Sequence, residues 1–129
     1  MIRFLDKETI LIFHNHQIET YGGSLGIRDE GLLESALALP KQSFGGEYMH
    51  SSIFEMAAAY GFHLCKNHPF IDGNKRTALV AMFTFLHVNG FRINADKKVL
   101  YSVIIDLASG KMDKSELTKF LKEHSSRIA

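Results

Sequence analysis

NHPFIDGNKRT, residues 67–77, interrupts a sequence that is strongly apolar on either side of it. Before it runs IFEMAAAYGFHLC, residues 53–65, and after it ALVAMFTFLHV, residues 78–88. Each is apolar around nearly all of a helical wheel, the pattern of a helix buried on every side. Ser52 and Glu55 stand at capping-box spacing ahead of the first helix. The second spans about 75–88 and is closed by Asn89 and Gly90. Pro69 disfavours helical dihedrals at His68, so the first helix should end at or before that histidine, at the protein surface. Two core helices bracketing one polar loop predict an all-α domain.

Working outward, the spacing predicts an amphipathic helix over about 7–21, with Ile10, Phe13 or His14, and Ile18 facing inward. Asp6 is its candidate N-cap and Gly22-Gly23 its stop. Another helix begins near Asp29, turns Leu32, Leu33, Ala36 and Leu37 inward, and ends at Pro40, whose ring removes a helical donor. KQSFGGEYMH, residues 41–50, reads as an exposed hairpin or flap, and a plain surface loop fits it equally. A further helix is expected over about 95–108, capped by Asn94 and stopped by Ser109-Gly110. A last one follows Asp113, which has capping-box spacing to Glu116. The expectation is a compact bundle of about six to seven helices with a short flap.

Length and composition narrow the functional classes. At 129 residues, 46% hydrophobic and 22% charged, the chain suits one globular domain over 1–129, with no repeats or interdomain linker. Its 15 Lys and Arg against 14 Asp and Glu give a net charge of +1, no basis for a direct nucleic-acid or membrane-surface partner. Any anion must be bound locally. The single cysteine, Cys65, cannot form an internal disulfide and has no partner at zinc-site spacing, which fits a reducing cytoplasm. The opening MIRFLDKETILIF is broken by Asp6, Lys7 and Glu8 and lacks the apolar core of a signal peptide. The longest apolar segment is too short to cross a bilayer.

The chemistry gathers in the loop. Phe70 can turn into the core and anchor an irregular backbone. Gly73 permits positive φ or a close ligand, and the helix that follows offers free amides and a positive dipole end to an anion. Lys75 and Arg76 add charge there, and arginine can grip phosphate oxygens with two parallel hydrogen bonds. Asp72 would repel a phosphate unless a cation lay between them. Magnesium, which takes few protein carboxylates and completes its octahedron with waters and phosphate oxygens, resolves that conflict. His68 suits a general base, since an unperturbed imidazole has a pKa of about 6.5. Together these parts describe phosphoryl or nucleotidyl transfer.

Each residue also admits a plainer role. Asp72 could only cap the following helix, Gly73 only make a turn, and Lys75 and Arg76 only solvate a first helical turn. The co-occurrence of base, anchor, metal ligand, anion nest and cations is what favours function. The loop is not a P-loop, because no glycine stands five residues before Gly73.

HPFIDGNKR resembles the signature of the Fic/Doc family: histidine, any residue, phenylalanine, any residue, an acid, a small residue, asparagine, glycine or lysine, and arginine. The resemblance extends from YGGSLGIRDEGLLESAL through FLHVNG and on toward the C-terminus. Lys75, where AMP-transferring Fic enzymes usually carry glycine, makes it similar to the Doc branch, the death-on-curing toxins. The resemblance implies that His68 activates a hydroxyl of a target protein, that Asp72 holds Mg²⁺, and that Gly73, Asn74 and Arg76 cradle the phosphates of ATP. Lys75 implies a kinase, with the γ-phosphoryl group facing a Ser or Thr hydroxyl, a translation elongation factor being the implied kind of target. The flap over 43–48 corresponds to the place where relatives hold a target backbone as an added strand. AMP transfer by the same site, and a catalytically idle helical binding module, are the alternatives.

Fic enzymes are often restrained by a helix carrying Ser or Thr, three residues, Glu, then Gly or Asn. The nearest matches here fail at the last position, Glu47 being followed by Tyr48 and Glu55 by Met56. An antitoxin acting in trans is therefore expected. The remaining residues receive structural roles: His14 and His16 are two apart and point to different sides of a helix, and Cys65 is a small buried side chain. His50 and His87 are expected at the surface or core edge, and His124 in a frayed tail.

Overall fold

The computed structural model describes residues 1–128. In chain order its elements are α1 (Lys7–Tyr21), α2 (Glu30–Ala38), β1 (Ser43–Phe44), β2 (Glu47–Tyr48), α3 (Ile53–Asn67), α4 (Asn74–Val88), β3 (Phe91–Ile93), α5 (Lys97–Ser109), α6 (Lys114–Glu123) and β4 (Ser125–Arg127). The domain is helical, with two small antiparallel strand pairs, β1 with β2 and β3 with β4. No described helix is long and apolar enough to cross a membrane.

Side-chain caps set most helix starts. Asp6 accepts from the Thr9 N–H at 2.9 Å and Asp29 from the Leu32 N–H at 3.0 Å, each satisfying a backbone donor that the helix cannot. Pro40 follows α2 inside a single 3-10 turn, Leu39–Lys41. Ser52 caps α3 by accepting from the Glu55 N–H at 3.1 Å. The reciprocal half of that expected box is displaced by one residue: Glu55 accepts from Ser51, at 2.6 Å from its N–H and 3.1 Å from its hydroxyl. At α6 the box is complete, Asp113 with Glu116.

α3 is the central element, buried continuously from Met56 through Gly61, and it packs against α2, α4 and α6. Gly61 lets it cross α4 closely, since a methyl group there would collide with the Met82 sulfur. α4 contributes Ala78, Ala81, Met82, Phe85 and Leu86 to the same core. Tyr60, fully buried, places its hydroxyl between the backbone groups of Leu5, accepting at 2.9 Å and donating at 3.2 Å. Cys65 is buried, and that burial pushes its thiol up to about 11.

Several expectations give way. α5 begins at Lys97 under Asp96, which accepts from the Val99 N–H, and not near residue 95 under Asn94. Asn94 instead donates to the Ser126 hydroxyl, because the chain end returns as β4 beside β3. His124 is therefore not frayed: its ring bonds the Phe120 carbonyl at 2.9 Å and stacks on the Phe120 ring. Residues 43–48 form the hairpin reading of the flap, not a plain loop.

Candidate active site

The loop between α3 and α4 is built from the inside out. Phe70 is 1% exposed, and His14 of α1 stacks flat on it with ring centroids 3.8 Å apart. Asn74 folds back over the same turn. Its side chain accepts from the Phe70 N–H and donates to the Phe70 carbonyl, both at 2.9 Å, so one buried amide supplies both partners that this irregular backbone lacks. His14 Nε2 lies 2.7 Å from the Asp72 carbonyl oxygen, which can only accept, so the ring carries its proton on that nitrogen.

A second segment clamps the loop from outside. Arg28 and Asp29 both donate their backbone N–H groups to the Pro69 carbonyl, at 2.7 and 3.0 Å, and Ile71 donates to Gly26 at 3.1 Å. Ile27 and Phe70 form an isolated antiparallel bridge. The loop is thus held on a rigid frame although it contains no regular element.

His68 caps α3 with φ 49 and ψ 53, and it is exposed. The helix stops where proline requires, yet the histidine takes left-handed dihedrals and not the extended ones usual before proline. At the other end Gly73, φ 77, is the N-cap of α4. A Cβ there would lie 3.0 Å from Ile18 Cδ1 and 3.6 Å from His14 Cδ2, so both the dihedral and the packing against α1 call for glycine.

Asp72 does not cap α4. Its Oδ1 accepts from the Gly73 N–H at 2.8 Å and its Oδ2 from the Ser24 N–H at 3.2 Å. These bonds, Ser24's foremost, hold its carboxyl below the usual range, helped by the charge of Arg76. Within α4, Thr77 is the first residue whose N–H finds a backbone acceptor, Gly73 O at 3.0 Å. The N–H groups of Asn74, Lys75 and Arg76 belong to the free first turn of a helix. Lys75 is exposed. Arg76 rests on the end of α1, donating to the Gln17 carbonyl at 3.3 Å and the Gly22 carbonyl at 3.1 Å, with its guanidinium carbon 5.9 Å from the centre of the Tyr21 ring.

The structure therefore sets His68 at one end of a braced loop and Asp72, Gly73 and Arg76 at the other, at the first turn of α4. Asn74 lies 5% exposed with its side chain committed inward, which leaves its backbone N–H as its means of meeting an anion. No group of three or more His, Cys, Asp or Glu suited to a metal occurs among the described residues. A lone ionised carboxylate beside a free helix tip still fits magnesium, which takes its other ligands from water and phosphate. Sequence reasoning offered His14 as an inward-facing residue in place of Phe13, which its burial bears out, but gave neither it nor Arg28 a part in the site. For His14 there was a signal, because it shares the inward stripe with Ile10 and Ile18, where a histidine must find a partner.

Fold and site together define a small helical domain with its chemistry collected on one interhelical loop. The Fic/DOC family model matches residues 4–86, and the chain belongs to that family. "Toxin Doc" of Mycolicibacterium smegmatis is 41% identical over 96 residues, covering 74% of this chain and 72% of that protein. "Protein kinase doc" of Escherichia phage P1 is 29% identical over 121 residues, covering 94% of each chain.

Proposed function

We propose that this protein is a toxin-like kinase of a toxin–antitoxin pair, transferring the γ-phosphoryl group of ATP to a Ser or Thr hydroxyl of a protein target. The observation that carries the reading is the joining, on one braced loop, of an exposed imidazole, His68, to an ionised carboxylate, Asp72, and the free first turn of α4. The name "Protein kinase doc" of the phage relative, together with Lys75, supports phosphoryl over AMP transfer. The name "Toxin Doc" supports a toxin restrained by a separate antitoxin.

In this reaction an unprotonated nitrogen of His68 takes the hydroxyl proton as the hydroxyl oxygen bonds to the γ-phosphorus. The bond from that phosphorus to its bridging oxygen breaks, and ADP leaves with the electron pair. The N–H groups at the start of α4, with Lys75 and Arg76, stabilise charge on the phosphate oxygens. Magnesium held at Asp72 supplies further charge neutralisation when bound. The β1–β2 hairpin offers an edge along which a target backbone can lie. A translation elongation factor in the cytoplasm is the target to try first.

The deciding experiment incubates the protein, Mg²⁺ and an elongation factor with ATP labelled at the α or the γ phosphate. The γ label alone should reach the target, and His68→Ala should transfer none. Transfer of the α label would reassign the site to adenylylation. Undiminished transfer by His68→Ala would remove the histidine from the chemistry.

A further inference from the structure

We infer that Arg28 is the positioning residue that holds His68 in its working conformation, an inference whose activity arm rests on the kinase reading above. His68 is the single non-glycine residue with positive φ among the described residues, at 49°. Pro69 adds to the difficulty, since the proline ring crowds the residue before it. Left-handed dihedrals are costly for a non-glycine residue, a cost that contacts from neighbouring groups offset.

Arg28 supplies the fixing contacts. Its Nε donates to the His68 carbonyl at 2.7 Å and its Nη2 to the Asn67 carbonyl at 2.9 Å. These are the last carbonyls of α3, which have no partner within the helix and form the negative end of its dipole. The planar guanidinium meets two consecutive carbonyls at once, which a lysine ammonium at the end of a flexible stem cannot reproduce. Neighbouring bonds reinforce the grip: the Arg28 N–H donates to the Pro69 carbonyl at 2.7 Å, and the Asn67 side-chain amide donates to the Leu32 carbonyl of α2 at 2.9 Å. One side chain, forty residues earlier in the chain, thereby sets the peptide that aims the imidazole.

All side-chain hydrogen bonds of Arg28 fall on 67–68, while the candidate phosphate groups begin at Gly73. Loss of Arg28 should therefore misplace the base without removing the nucleotide site. Arg28→Ala is expected to lower kcat by roughly 10–100-fold, the effect of a small misplacement of a reacting group, with the KM for ATP changed by less than about twofold. Arg28→Lys should fall between, and added guanidinium ion should restore part of the Arg28→Ala rate. Independently of activity, NMR should show the His68 backbone coupling and carbon shifts leaving their positive-φ values in Arg28→Ala. If that variant does not fold, Arg28→Lys carries both readouts.

Unchanged His68 signals in the folded variant would overturn the inference, as would an unchanged kcat. Equal loss of kcat and of ATP affinity would also overturn it, by showing a general collapse of the loop. If the wild type transfers no label at all, the kinase reading fails, while the NMR comparison still decides the role of Arg28.

Discussion

Asn74→Ala tests what holds the loop together. The substitution removes two hydrogen bonds to Phe70 and leaves that residue's buried N–H and carbonyl without partners. Each orphaned group costs about 1–3 kcal/mol, and partial relaxation of the loop brings the expected total to about 3 kcal/mol. For 129 residues the unfolding entropy is roughly 0.27 kcal/mol/K, so the midpoint should fall by about 10 °C. Urea titration followed by circular dichroism measures the free-energy difference directly. Asn74→Asp sharpens the test, because its carboxylate can still accept from the Phe70 N–H but faces the Phe70 carbonyl with a second acceptor. It should be at least as destabilising at neutral pH and recover partly in acid, where a protonated carboxyl can donate. A loss below about 0.5 kcal/mol in Asn74→Ala, within the range of an ordinary surface change, would refute the assignment.

Other outcomes follow from the packing. Tyr60→Phe breaks both bonds to Leu5 and should cost about 1–3 kcal/mol in the same titration, with the aromatic core kept. Burial, followed by the charges of Lys114 and His50, holds His63 down at about 4 from the ordinary 6.5. The unfolded chain then binds more protons between those values, so stability is intact above pH 6.5 and declines as the pH falls toward 4. The partial solvent access of the ring limits this to about 1–2 kcal/mol, and comparing urea midpoints at neutral and acid pH should show a smaller drop in His63→Gln.

What the sequence revealed was what is local in it. Asp6, Asp29, Ser52 and Asp113 each cap a helix by accepting an N–H three residues on, and that spacing is readable without a structure. Pro69 and Gly73 marked the loop for the same reason. The start of α5 was misplaced because Asn94 and Asp96 are both competent caps, and the choice falls to a strand pairing between 91–93 and 125–127. The same return of the chain orders His124. Within the site, the family resemblance gives Asn74 a part in cradling phosphates, and since its side-chain amide is used four residues back on Phe70, that part falls to its backbone N–H. Arg28 lies forty residues from the histidine it touches, and no local pattern joins them.

Arg76 gives the proposed nucleotide site a competitor within the fold. Its guanidinium is moored to the carbonyls of Gln17 and Gly22, and a phosphate would have to exchange with those oxygens or share the cation with them. Affinity for ATP then becomes a difference between two attachments and not the strength of one. Changes at Tyr21 or Gly22, which need never touch the nucleotide, would loosen the mooring and tune how readily the cation is released to its ligand.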